Sequence, residues 1–228
     1  MISWPLFALT FAAFFVTHTV PVRPKVKVRL QRLLGPRGFT LAYSLLSLCM
    51  LGAVIAAAAH APYVQLWPQA VWQHYVVAVG MLAVCLLLAL AIARPNPFSF
   101  GGRKNDAFDP AKPGIIRFTR HPLLVALALW AGLHLLPNGD LAHVIMFGIF
   151  LAFALLGRTI SDRRNKRVMG AKQWSTRLQK LRAAPYQTRL QNPRSTFMRL
   201  GIGLLVYGML ILLHPVVLSV SPLPYLFE

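Results

Sequence analysis

The stretch Gly114–His134 reads GIIRFTRHPLLVALALWAGLH, and it contains the pattern that decides the fold. Two arginines and a histidine stand near its beginning, an apolar run follows, and a second histidine ends it. An apolar run bordered by basic residues is typical of a helix that enters a membrane, because the charged side chains stay among the headgroups. The stretch therefore predicts a membrane helix, and it raises the question whether its two histidines mark the boundaries or form a site.

The composition of the whole chain extends this interpretation. The 228 residues are 57% hydrophobic and only 13% charged, with a mean hydropathy of +0.57, whereas about a quarter of the residues in soluble domains are charged. Lys and Arg number 24 against 5 Asp and Glu, for a net charge of +19. Because the basic residues flank apolar runs, we expect a lipid bilayer and its anionic headgroups as partners rather than a nucleic acid. A partner membrane protein is a further candidate.

Six apolar runs predict an all-α, polytopic membrane bundle of about six transmembrane helices, because a span needs roughly 20 apolar residues. The fourth and fifth runs are short. The runs are Ile2–Val20, Phe39–Ala59, Tyr75–Ala93, Leu123–Leu136, Leu141–Gly157 and Leu200–Val220.

The basic residues alternate between the linkers that separate these runs. The linkers at residues 23–37, 94–120 and 158–199 contain six, six and twelve Lys or Arg, which together are all 24 in the chain. The linkers at residues 60–74 and 137–143 contain none. By the positive-inside rule, the basic linkers face the cytoplasm and both the N-terminus and the C-terminus lie outside.

Local signals predict the form of three linkers. The PNGD turn at residues 137–140 predicts a tight helical hairpin, with Asp140 capping the second helix. The linker at residues 94–120 is rich in Pro and Gly and predicts an ordered loop. In the last basic linker, apolar residues recur at helical spacing between basic ones, which predicts an amphipathic helix on the cytoplasmic membrane surface. Those apolar residues are Val168, Trp174, Leu178 and Leu181.

Histidine is the residue type most able to carry chemistry, as a metal ligand or as an acid or base. The five acidic residues are too few and too scattered for catalysis by a carboxylate pair. His134 is the leading candidate, because an ionisable group late in an apolar span indicates function by default. His121 starts the same span beside Arg120 and reads equally as a boundary residue. The seven histidines are His18, His60, His74, His121, His134, His143 and His214.

Spacing separates the two histidines of the opening stretch. His121 and His134 lie thirteen residues apart, which is roughly 20 Å along a helix axis. They cannot share one metal ion if the segment is helical, so each needs a partner on another helix. By predicted depth, His18 near the cytoplasmic end of the first span lies closer to His121 than to His134.

The chain resembles the NnrU family of membrane proteins through several motifs in order. These are HTVPVRP, GPRGF, YSLLSL, HAPYVQLW, PNPFSFGG, PGIIRFTRHPLLVALALWAGLH and NGDLAH. The resemblance implies a single domain over residues 1–228, with a core at 1–190 and an extra C-terminal span at 199–220. It also implies a multi-pass protein of the bacterial inner membrane, associated with nitrite and nitric oxide reduction in denitrification.

The NnrU family resembles in turn the plant zeta-carotene isomerase, a membrane enzyme that contains haem b. That resemblance implies haem b as cofactor, with His18 and His134 as ligands of the haem iron, and a haem-dependent isomerisation as an alternative activity. The isomerase has a cysteine where this chain has Ala131. His60 and His214 match further histidines of the isomerase pattern and are alternative cofactor residues.

A second resemblance leads to another class of enzyme. GIIRFTRHP followed by Asp162, Gly170, Trp174 and Pro185 is similar to isoprenylcysteine methyltransferases. This implies S-adenosylmethionine as cofactor, bound with the help of Arg120 and His121. Those enzymes carry a glutamate pair where this chain has only Asp162. A third alternative is a non-enzymatic subunit of a membrane complex.

Overall fold

The computed structural model describes residues 1–184 and 193–223 of the protein. These residues form seven α-helices, and two short 3-10 turns at Asn105–Ala107 and Gly114–Arg117 lie in the linker between the third and fourth. No β-strand is found among the described residues. The helices are α1 (Trp4–Thr19), α2 (Pro24–His60), α3 (Val71–Ala91), α4 (Pro122–Leu135), α5 (Leu141–Met169), α6 (Ala171–Ala183) and α7 (Pro193–Leu218).

Four of these helices are long and apolar enough to cross a membrane, namely α2, α3, α5 and α7. The helices α1 and α4 are apolar as well but have only 16 and 14 residues. Large apolar side chains are exposed along the long helices; Val79, Leu212 and Val216 are each more than 70% exposed. Such surfaces suit lipid rather than water. The prediction of a helical membrane protein is confirmed at this level.

The chain divides into two compact units. Unit 1 comprises Met1–Pro68 and Gly139–Met146, and unit 2 comprises Gln69–Asn138 and Phe147–Glu228. The single domain over residues 1–228 stays a prediction, and the boundary at residue 190 lies outside the described residues, as does Pro185 of the methyltransferase-like pattern.

Unit 1 is built mainly on α1 and α2. Much of the first basic linker is helical and forms the beginning of α2, which is kinked at Gly35 (φ 70°, ψ 163°) just before Pro36. A proline disfavours the helical conformation in the residue before it, and glycine accepts a positive φ without a steric penalty. The GPRGF motif is thus the point at which the basic amphipathic segment turns into the apolar part of α2.

Gly139 and Asp140, the second half of the PNGD turn, belong to unit 1 and contact the loop that follows α2. Gly139 O accepts from Leu66 N at 2.7 Å, and a Cβ on Gly139 would collide with the backbone oxygen and the ring of Trp67. Asp140 Oδ1 accepts from His143 N at 3.2 Å. The predicted cap by Asp140 is therefore confirmed, and the glycine is required by the close approach of Trp67.

In unit 2, the helices α4 and α7 pack on α3. The Tyr207 hydroxyl on α7 donates to Ala78 O on α3 at 3.0 Å. Gly203 is buried against α3 so closely that an added Cβ would lie only 3.1 Å from Leu86 and 3.2 Å from Ala89. The predicted C-terminal helix is present, and it is part of the packing of unit 2.

The helix α4 runs antiparallel to the part of α5 that belongs to unit 2. Leu124 near the start of α4 approaches Gly157, and Trp130 near its end has its ring centroid 5.4 Å from that of Phe147. These paired positions confirm the predicted helical hairpin. The hairpin brings the start of α4 beside the charged C-terminal part of α5.

The linker between α3 and α4 is an ordered loop, as predicted, and it forms a small core with α6. Phe98 and Ile116 from the loop are buried with Trp174 and Leu181 from α6. The basic helix is confirmed, but the apolar side chains Trp174 and Leu181 pack on this loop instead of facing lipid. Val168 belongs to α5 and is 78% exposed.

Candidate functional site

A three-residue ionic cluster lies where α4 begins. Asp162 Oδ2 accepts from Arg120 Nη2 at 2.7 Å, and Asp162 Oδ1 lies 2.9 Å from His121 Nε2. An ionised carboxylate can only accept, so Nε2 of His121 carries the proton in this bond. We call Arg120, His121 and Asp162 the α4 clasp, because they join the residues just before α4 to α5.

His121 is only 2% exposed, and this burial favours the neutral form of its ring. Burial lowers the pKa of His121 below its ordinary value, and Arg120 and Arg158 lower it further, while the attraction of Asp162 opposes them. A neutral ring with the proton on Nε2 leaves Nδ1 as an unprotonated acceptor. That Nδ1 is buried and has no hydrogen-bond partner among the described residues, and the same holds for Arg120 Nε.

The preceding loop positions the clasp through backbone groups. Asn96, which is 3% exposed, donates from Nδ2 to Arg120 O at 3.0 Å and accepts from Phe98 N at its Oδ1. Thr119 Oγ1 accepts from His121 N at 3.2 Å. Pro122 occupies the first turn of α4, where a missing N–H does no harm. The RHP motif is therefore the N-terminal boundary of a helix as well as part of a polar cluster.

A cleft of about 960 Å³ opens beside the clasp, entirely within unit 2. Among the described residues, four arginines and one carboxylate line it, together with Thr119, Thr159 and apolar side chains. The charged lining residues are Arg117, Arg120, Arg158, Arg182 and Asp162.

His134 lies near the other end of α4, among aromatic rings. Its Nδ1 donates to Trp130 O, one turn earlier, at 2.8 Å. Its ring centroid is 5.5 Å from that of Trp130 and 5.3 Å from that of Phe147. Because Nδ1 carries the proton in this bond, Nε2 of the neutral ring is an unprotonated nitrogen that can accept a metal ion or a hydrogen bond.

His18 belongs to unit 1, where it lies near the end of α1. Its ring is stacked on Phe14 with centroids 4.9 Å apart, and the Tyr43 ring lies 5.8 Å away. The Tyr43 hydroxyl donates to His18 O at 3.0 Å. Nδ1 of His18 is buried and has no partner in the part of the chain that the structure describes. His134 belongs to unit 2, so the haem pair of His18 and His134 stays a prediction.

The two other predicted histidines are bonded to nearby backbone groups. Nδ1 of the exposed His60 donates to Ala56 O at 2.8 Å, and Nδ1 of His214 donates to Val220 O at 2.7 Å. Residues 1–184 and 193–223 contain no cluster of three or more His, Cys, Asp or Glu that could hold a metal ion.

A family model described as NnrU protein matches residues 6–222. The chain belongs to the NnrU family. No curated protein and no solved structure matches it. The resemblance on which the sequence-based prediction rested is thereby confirmed for this family, while the relation to the isomerase and to the methyltransferases stays a prediction.

Sequence reasoning missed several residues of the site in this NnrU chain. Asp162 was considered only as part of the methyltransferase-like pattern, although it joins Arg120 to His121. Arg158 and Arg182 were counted only as topological charges, yet they line the cleft. The available signal was that Asp162 is one of only five acidic residues and lies in the strongly basic segment DRRNKR.

Proposed function

We propose that this NnrU protein binds haem b in its membrane region and supports the reduction of nitrite and nitric oxide. His134 is one axial ligand of the haem iron in this proposal, and His18 is the second. The observation that carries it is the hydrogen bond from His134 Nδ1 to Trp130 O. Histidines that bind a metal usually donate their other ring N–H to a carbonyl or carboxylate, which fixes the tautomer and the ring orientation.

The surroundings of both histidines fit a haem ligand. Trp130 and Phe147 beside His134, and Phe14 and Tyr43 beside His18, are flat apolar or amphipathic groups of the kind that line a dry pocket. The buried Nδ1 of His18 has no partner among the described residues, and a buried unpaired nitrogen is costly unless a ligand satisfies it. The pairing of the two residues rests on the family resemblance.

A bound haem would supply one-electron chemistry, with a potential that depends on the axial ligands and on burial. The residues of the chain would hold the group, orient the imidazole and exclude water. Ala131, three residues before His134, is fully buried and supplies no thiol. Its presence argues against isomerase-like redox gating, in which a cysteine at this position is the alternative ligand.

The proposal includes the membrane topology. The chain crosses the bacterial inner membrane six times, with both termini outside and the basic linkers among anionic headgroups in the cytoplasm. The helix α4 is only about 21 Å long at its 14 residues, against a hydrocarbon core of roughly 30 Å. Local thinning of the bilayer or the residues that flank the helix would make up the difference.

An absorption spectrum of the purified full-length protein tests the haem. After expression with ample haem and mild solubilisation, we expect a Soret band that disappears in His134→Ala. His60→Ala tests one alternative cofactor residue and should keep the band, because His60 makes the same 2.8 Å bond from Nδ1 to the carbonyl one turn earlier but is exposed. A colourless folded protein, or an unchanged band in His134→Ala, would refute the proposal. His18→Ala then decides whether His18 is the second ligand. His121→Ala should keep the band, because His121 lies roughly 20 Å from His134 along the helix.

A further inference from the structure

The cleft beside the α4 clasp has a strong charge imbalance. Four arginines face one carboxylate in its lining, and the carboxylate of Asp162 already accepts from both Arg120 and His121. We propose that this cleft is a binding site for a phosphate ester or diphosphate whose phosphate lies against the arginines. The site is separate from the proposed haem, because His121 and His134 are about 20 Å apart along α4.

Two of the arginines are available to a ligand. The Arg158 and Arg182 side chains are exposed, and the described residues provide neither with a carboxylate partner within ion-pair distance. Arginine recognises phosphate through two parallel N–H bonds, which makes it the preferred residue for planar, charge-assisted contacts. A multiply charged anion would offset the mutual repulsion of the guanidinium groups in the cleft lining.

Unpaired polar atoms in the cleft lining are a second, independent observation. His121 lines the cleft with a side chain only 3% exposed, and its Nδ1 has no partner among the residues described. Arg120 Nε is equally buried, and the described part of the chain offers it no acceptor. A buried donor and a buried acceptor without partners are unfavourable in the protein alone. A hydrogen phosphate or a phosphate ester with a hydroxyl group offers both an anionic oxygen and a donor.

The remaining walls indicate what the phosphate is attached to. Ile116, Val125, Leu155, Leu178 and Leu181 line the same cleft, so an apolar group can lie next to the charged one. The volume of about 960 Å³ exceeds the needs of a bare phosphate. A membrane phospholipid with a small headgroup and a soluble phosphate ester share this chemistry.

The charge of the cleft argues against S-adenosylmethionine as its ligand. That cofactor carries a sulfonium and an ammonium group against a single carboxylate, so its net charge is positive. A lining with four guanidinium groups and one carboxylate repels a cation, and the repulsion increases as water is excluded. The methyltransferase-like alternative therefore predicts a positively charged ligand, whereas this positively charged cleft favours an anion.

Titration calorimetry on the full-length protein in neutral detergent tests the site with defined probes. The probes are inorganic pyrophosphate, dioctanoyl phosphatidic acid, dioctanoyl phosphatidylcholine as the zwitterionic control, and S-adenosylmethionine. We expect Arg158→Gln and Arg182→Gln to weaken binding of the anionic probe roughly tenfold or more, because each removes a charge-assisted contact. Arg164→Gln is the matched control, since Arg164 is exposed on the same helix as Arg158 but does not line the cleft.

The outcomes distinguish a lipid ligand from a soluble phosphate ester, and they show whether the cleft binds an anion at all. Tighter binding of phosphatidic acid than of pyrophosphate assigns a lipid ligand, and the reverse order assigns a soluble phosphate ester. An equal loss in Arg164→Gln, or no binding of either anion at millimolar concentration, refutes the site. Binding of S-adenosylmethionine with the same dependence on Arg158 also refutes it. A normal Soret band in Arg158→Gln would show that the haem proposal stands independently.

Discussion

The two ends of α4 each carry a histidine, and the two residues have opposite surroundings. His121 lies in a charged cluster, where its Nε2 donates to Asp162 and arginines stand close by. His134 lies among aromatic rings, and its bond is to a carbonyl of its own helix. The same residue type is thus part of an ionic clasp at one end and of an apolar pocket at the other.

The difference shows how a ring nitrogen becomes available for function. In His121, Nε2 is committed to a carboxylate on another helix, so the residue holds the hairpin together. In His134, a carbonyl of the same helix fixes the tautomer, so Nε2 carries the lone pair without a bond to another helix. The local bond of His134 is common in helices, and it acquires meaning only together with the surrounding rings and the burial.

The largest expected effect on stability concerns the end of α4 at which His134 lies among aromatic rings. Phe147, which is 5% exposed, contacts both Trp130 and His134. Phe147→Ala should destabilise the protein by about 3–5 kcal/mol, because it leaves a cavity beside both rings. Phe153→Ala on the same helix, where the side chain is 50% exposed, should have a much smaller effect. Thermal unfolding in detergent measures both variants, and similar losses would mean that the aromatic end is not packed as described.

The second effect concerns the clasp. Asp162→Ala leaves His121 Nε2–H buried without its acceptor and should reduce stability by about 1–3 kcal/mol. Asp162→Asn should reduce the stability less, since the amide oxygen can still accept a hydrogen bond from His121. Asp106→Ala, an exposed acid in the loop, is the control for loss of negative charge. If the three variants unfold at the same temperature, the clasp does not join α4 to α5.

The smallest expected effect is a dependence of the protein's stability on pH, which arises from His121 in the clasp. Burial lowers the pKa of His121, so the unfolded chain takes up this proton first as the pH falls below about 6.5. The stability that the neutral His121 ring contributes is fully present above that pH and is lost as the pH falls further. We expect the melting temperature of the protein to decrease from pH 7.5 to 5.5 more than that of His121→Gln. Parallel curves would contradict the burial of a neutral ring.

Much of the fold followed from local patterns. The apolar runs located the helices, and the Asn-Gly turn and Asp140 located the hairpin, because these signals act within a few residues. The spacing in the basic linker located α6 but not its partner, since an amphipathic pattern predicts an apolar face without saying what covers it. Trp174 packs on Phe98, a contact between residues far apart in sequence.

The candidate site was less accessible to sequence reasoning. A sequence motif indicated Arg120 and His121. Asp162 bonds to both, but it lies 42 positions after Arg120 in the sequence. The two arginines Arg158 and Arg182 were explained by topology alone, and only the folded chain places them around one cleft.

By itself, the sequence determined that this is a helical NnrU protein with apolar spans and basic linkers, because hydrophobicity and charge act along the chain. The tertiary structure decided which face of α6 is covered, which acid holds His121, and where the positive charges converge. Those features depend on contacts across the hairpin and the loop, and their geometry exists only once the helices are packed.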